Sequence, residues 1–107
     1  MAEPCVVVAT MVAKPGQEEL VETTLRAAAS AVHAEPGCLL YALHRKAGEP
    51  GRFVMIEKWA SKEALRAHGQ GAALRQVGAA LGEALAGAPE VSVFEPLPAG
   101  DPELGAL

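Results

Sequence analysis

Residues 53–68 read Phe53-Val54-Met55-Ile56-Glu57-Lys58-Trp59-Ala60-Ser61-Lys62-Glu63-Ala64-Leu65-Arg66-Ala67-His68, and the fold follows from placing this stretch. Its first half is apolar and partly β-branched, the pattern of a buried strand. Alternation puts Phe53, Met55 and Trp59 on one side and Val54 and Ile56 on the other. Ser61 is a good N-cap for a two-turn helix ending at His68, where Gly69-Gln70-Gly71 interrupts it. The stretch therefore carries one carboxylate, Glu57, inside an apolar strand. It also carries one imidazole, His68, on the same helical stripe as Ala64 and Leu65.

Upstream, Ala47-Gly48-Glu49-Pro50-Gly51 reads as a hairpin loop joining this strand to an earlier one over residues 38–46. In that earlier strand, alternation groups Leu39, Tyr41 and Leu43 on one face and Leu40, Ala42 and His44 on the other. Before the Glu35-Pro36-Gly37 turn, Leu20, Val21, Thr24, Leu25, Ala28, Ala31 and Val32 recur at helical spacing, which predicts a helix over residues 17–34. Acidic residues open that helix and His33 closes it, as the macrodipole favours, so His33 is expected to be a solvated end residue. The chain begins with an apolar run from Cys5 to Val12 that reads as a strand covered on both faces. Downstream, Leu74, Val77, Leu81 and Leu85 predict a helix from Ala72 to about residue 86. Its interior Gly78 and Gly82 are unfavourable for a helix and imply close packing against something. A fourth strand follows at Glu90–Glu95.

The chain has 107 residues, one domain's length, of which residues 1–95 form the fold and 96–107 a Pro-rich tail. Half of the residues are hydrophobic but only 4% are aromatic, so each ring is worth locating. The net charge of -4, with no run of Lys or Arg, excludes a nucleic-acid partner as the expected reading. No apolar run approaches the ~20 residues of a membrane span, and no leader pattern is evident, so the expected location is the cytoplasm. Cys5 and Cys38 are too few and too far apart for a metal motif and are expected to be free thiols.

The order βαββαβ, with a tight hairpin and a right-handed crossover, predicts a ferredoxin-like α+β fold: an antiparallel four-stranded sheet with its helices on one face. Those helices leave the other apolar face of the sheet uncovered. A second copy of the chain is the economical cover, so a homodimer is expected.

Lys14-Pro15-Gly16, Glu35-Pro36-Gly37-Cys38, Tyr41, Phe53, Glu57, Trp59, Ser61, Ala64-Leu65 and His68 together resemble the antibiotic biosynthesis monooxygenase (ABM) domain, in its quinol-monooxygenase-like branch. The resemblance spans about residues 5–95. It implies a dimeric α+β barrel with a cavity between sheet and helices in each subunit. It also implies oxidation of a small phenolic or quinol-type substrate by O2, with no metal, flavin or other cofactor. Haem-degrading relatives use an Asn on strand 1, a Trp in the second helical region and a later His. This chain has no Asn, and His68 and Gly78 occupy the other two positions, so haem degradation fits poorly.

Oxygenation without a cofactor requires a base to turn the substrate into an electron-rich anion. His68 is the candidate base, because an unperturbed imidazole titrates near neutrality. Glu57 is the candidate orienter of its second ring nitrogen. Tyr41, Trp59, Phe53, Met55 and Met11 are candidate substrate-binding residues, and His44 is a weaker one. The competing readings are structural: a core histidine satisfied by a backbone carbonyl, a carboxylate paired with Lys58, Arg45 or Arg52, and rings that belong to the core. On the same scaffold, an isomerase, decarboxylase or cyclase, or a non-catalytic ligand-binding or stress-response protein, would use the same cavity without O2.

Overall fold

The computed structural model describes residues 3–107. The elements run β1 (Cys5–Val12), α1 (Glu18–His33), β2 (Cys38–Arg45), β3 (Arg52–Trp59), α2 (Lys62–Gly69), α3 (Ala72–Leu81) and β4 (Glu90–Phe94). The strands form one sheet in the order β2-β3-β1-β4, with every neighbouring pair antiparallel. This is the expected ferredoxin-like α+β arrangement. Register explains why the helices lie on one side: Cys5, Val7, Ala9 and Met11 pair with Trp59, Glu57, Met55 and Phe53, so all eight share one face. All eight are buried, and the core forms where α1 and α3 cover that face with Val21, Leu25, Val32 and Leu81.

The opposite face carries Val6, Val8, Thr10, Val12, Leu40, Ala42, Val54 and Ile56, which are half-buried. Within one chain, then, β1 is covered on one face only. The edge strand β4 is exposed throughout, including Val91, Val93 and Phe94. The tail does not run straight out. The Asp101 side chain accepts from the backbone of Glu103 and Leu104 at 2.9 Å each, and this turn brings Leu107 back until Lys58 Nζ donates to its carbonyl at 2.6 Å.

Two local expectations are corrected. A β-bulge between Cys38 and Leu40 shifts the β2 register, so Cys38 faces the same way as Tyr41 while Leu39 turns out to solvent, 57% exposed. The last helix ends at Leu81, earlier than its apolar pattern implies. The backbone beyond it is claimed by β1: Ala86 N donates to Val12 O at 2.7 Å and Lys14 N to Ala84 O at 2.8 Å, and Ala13 bridges Leu85. Gly37 sets a further close approach. It has a φ of +80, and a Cβ there would lie 2.6 Å from that of Ala64, so only glycine lets α2 settle onto the α1–β2 turn.

Candidate active site

Between the sheet and the helices lies a cavity of about 620 Å³. Its floor is the inward face of the sheet, with Val7, Ala9, Met11, Tyr41, Met55 and Glu57, and its far wall is α2 and α3. The lining is largely apolar, with His68, Glu57 and Tyr41 grouped as its polar residues. His68 is brought there by α2. Ser61 caps that helix by accepting from Ala64 N at 3.1 Å, and His68 follows at its last turn, buried to 5% exposure.

The surroundings of His68 differ from the sequence expectation. Its Nδ1 lies 2.9 Å from Oε1 of Glu35, the first residue of the α1–β2 turn. Its Nε2 is 3.9 Å from Glu57 Oε1, too far for a hydrogen bond. Glu57 therefore shares the cavity with His68 but does not hold its ring. Its Oε1 instead accepts a hydrogen bond from Trp59 Nε1 at 2.9 Å. The imidazole is fixed by rings on two sides: it stacks on Trp59 with centroids 4.5 Å apart and meets Tyr41 edge-on at 5.6 Å. A carboxylate accepts hydrogen bonds, so a neutral imidazole that donates to Glu35 does so through Nδ1–H and keeps Nε2 as its acceptor.

The remaining candidates separate cleanly. Met11, Met55 and Tyr41 line the cavity. Phe53 and Trp59 share the inward face but do not reach the cavity wall. Phe53 is buried beneath the Arg45 guanidinium, 5.4 Å from its ring, and fully buried Trp59 lies behind His68. His44 is exposed and bonds the Ala42 carbonyl. His33 is exposed as expected, yet its Nε2 is held 2.9 Å from the Tyr41 carbonyl. Cys5 and Cys38 are free, and burial raises the pKa of both thiols. Among the described residues, no three His, Cys, Asp or Glu side chains are grouped to hold a metal ion.

The residue missed in the sequence is Glu35. A signal was present: a carboxylate just beyond the C-terminal end of α1 opposes the helix dipole and needs a compensating partner. Gly78 and Gly82, expected to allow close packing, instead line the cavity, and a Cβ at Gly78 would meet nothing within 4 Å.

Burial raises the pKa of Glu57; the Trp59 hydrogen bond and the charge of His68 oppose this, and Glu35 adds to it. A raised value means the folded state binds this proton more tightly than the unfolded chain. The stabilising contribution is thus complete at low pH and is lost as pH rises through the shifted value. Glu57→Gln removes that loss while keeping an acceptor for Trp59. Thermal melts should show the variant gaining on the parent as pH climbs from about 4.5, the ordinary carboxylate value. A melting-temperature gap that is flat with pH contradicts the shift.

The sequence profile of the antibiotic biosynthesis monooxygenase family matches residues 4–80. The chain belongs to this family. Solved structures agree with this ABM fold along nearly its whole length. A Pseudomonas aeruginosa protein is 31% identical, with a TM-score of 0.84, covering 91% of this chain and 97% of its own. A Caulobacter crescentus protein described as a candidate antibiotic biosynthesis monooxygenase is 34% identical, with a TM-score of 0.82 and coverage of 90% and 92%. A Mycobacterium tuberculosis protein is 28% identical, with a TM-score of 0.84 and coverage of 92% and 100%. No functionally curated protein matches the ABM chain. Among the described residues, no helix is long and apolar enough to cross a membrane.

Proposed function

We propose that the chain is a monooxygenase that oxidises a small phenolic or quinol-type compound with O2, using His68 Nε2 as general base. The observation that carries this reading is the grouping of His68, Glu57 and Tyr41 as the polar residues of an otherwise apolar cavity. An aromatic body fits the apolar walls, and its hydroxyl group meets the imidazole. The Nε2 lone pair takes the hydroxyl proton, and the electron-rich anion then reacts with O2. One oxygen atom enters the ring and the other leaves as water with two hydrogens from the substrate. Tyr41 is suited to donate a hydrogen bond to the anion: burial first, then the Glu57 and Glu35 carboxylates, keep its hydroxyl protonated well above the usual range. Met11 and Met55 give the floor an adaptable apolar surface. Family membership supports the oxygenase class, and the fold by itself would not.

The test is oxygen-electrode measurement with benzene-1,4-diol and larger hydroquinones, paired with mass spectrometry of the products. O2 uptake, with a product that has gained one oxygen atom and lost two hydrogens, is the expected result. Turnover that proceeds equally without O2 overturns it in favour of an isomerase, decarboxylase or cyclase. A ligand that co-purifies and stays unchanged, with no hydroquinone consumed, overturns it in favour of a binding role.

The working form in this reading is a homodimer. The uncovered face of the sheet and the exposed Phe94, Leu97 and Leu104 supply the apolar surface that a second copy would bury. Sedimentation should give twice the 11.0 kDa chain mass. A stable monomer at micromolar concentration would rule the dimer out.

A further inference from the structure

His68 borders two spaces. One is the large cavity. The other is a separate crevice of about 310 Å³ between the α1–β2 turn and the α2–α3 junction, bordered by Glu35, Pro36, Ala64, Ala67 and Gly71. His68 borders both spaces, whereas Glu35 borders only the crevice and Glu57 only the cavity. The 2.9 Å contact from Nδ1 to Glu35 Oε1 therefore points away from the space where a substrate would sit.

We propose that Glu35 is the positioning residue of the His68 base: it holds the proton on Nδ1, presents Nε2 to the cavity, and stabilises the imidazolium formed when Nε2 takes up a proton. This rests on the base reading of His68 but assigns its support to a residue outside the cavity. Three features carry it. The dyad is desolvated on the histidine side, with side-chain exposures of 5% for His68 and 21% for Glu35, which strengthens the pairing relative to a surface contact. The turn that carries Glu35 is fixed against α2 by the close approach of Gly37 to Ala64 and by Ala60 N donating to Gly37 O at 2.8 Å. Among the described residues, the other carboxylate within 4 Å of the ring, Glu57, has its Oε1 engaged by Trp59 and stands 3.9 Å from Nε2, with that ring nitrogen left for the substrate. No step passes a proton to Glu35; it remains a carboxylate that accepts the Nδ1–H bond throughout.

The experiment uses the full chain labelled with 15N in histidine, together with Glu35→Ala and Glu35→Gln. In the parent, the 15N shifts of His68 should report a protonated Nδ1. In Glu35→Ala, the neutral ring should shift toward the Nε2-protonated tautomer. Turnover of whichever hydroquinone the parent oxidises should fall about 10- to 1000-fold in kcat with KM little changed, because Glu35 does not touch the cavity. Added formate or acetate, small enough for the crevice, should restore part of the Glu35→Ala rate and none of the rate lost in His68→Ala. Glu35→Gln checks folding, since it keeps the shape while removing the charge, and its kcat should also be depressed. An unchanged tautomer in Glu35→Ala, or full turnover without added carboxylate, overturns the proposal. The tautomer readout needs no substrate: if His68→Ala were fully active, the base assignment would fail while the Glu35 contact remained independently measurable.

Discussion

Replacing His68 with alanine is expected to abolish hydroquinone-dependent O2 uptake, a fall of about 100- to 10,000-fold, the range ordinarily supplied by a positioned general base. The other polar groups at the cavity are poor substitutes. Tyr41 holds its proton well above the usual range, and Glu57 has its Oε1 engaged by Trp59. The comparison is informative only in folded protein. Truncating a ring that is 5% exposed and stacked on Trp59 leaves a void, so His68→Gln, which fills more of that space, serves as the second variant. Circular dichroism should show both variants folded. Turnover at the parental rate in either variant would remove His68 from the mechanism.

The largest effect on stability is expected at Trp59. Its indole is fully buried, belongs to the core, supports the imidazole at 4.5 Å and donates to Glu57 at 2.9 Å. Trp59→Ala removes that packing and deprives a buried carboxylate of its donor. A loss of about 3–5 kcal/mol is expected, a large share of the roughly 5–15 kcal/mol available to a domain of this kind. Trp59→Phe keeps a ring behind His68 but no N–H, and should cost about 1–3 kcal/mol, the penalty for leaving a buried polar group without a partner. Urea denaturation separates the two. If alanine costs no more than phenylalanine, the indole is not the support the geometry describes.

Element order was legible because it depends on periodicity, and periodicity depends only on neighbours in the chain. The 53–68 stretch gave the strand, its cap and the helix to His68 because each signal is local. What stayed hidden depended on tertiary contact. The bulge near Leu39 leaves no mark in composition, since any residue there can be the extra one. The early end of α3 reflects competition: alanine-rich sequence would extend the helix, but hydrogen bonds offered by the end of β1 draw residues 84–86 away. Phe53 and Trp59 share the face of Met55 as alternation predicts, yet whether a position on that face opens into space or into the core is decided by where the helices sit above it. Glu35 looked like a turn residue because it is one, and its meeting with His68 spans 33 positions in the chain.

Gly78 in α3 and Gly82 at its C-terminal cap give the cavity a division of labour. Its polar side chains sit on the sheet and at the end of α2, whereas Gly78 and Gly82 contribute wall with no side chain, and a Cβ on Gly78 would enter open space. Volume and chemistry are therefore written at different positions. Single substitutions along one face of α3 can narrow or reshape the chamber one methyl at a time, leaving His68 and its partners in place. A lineage or an engineer could change which molecule the cavity accepts without rebuilding its polar groups.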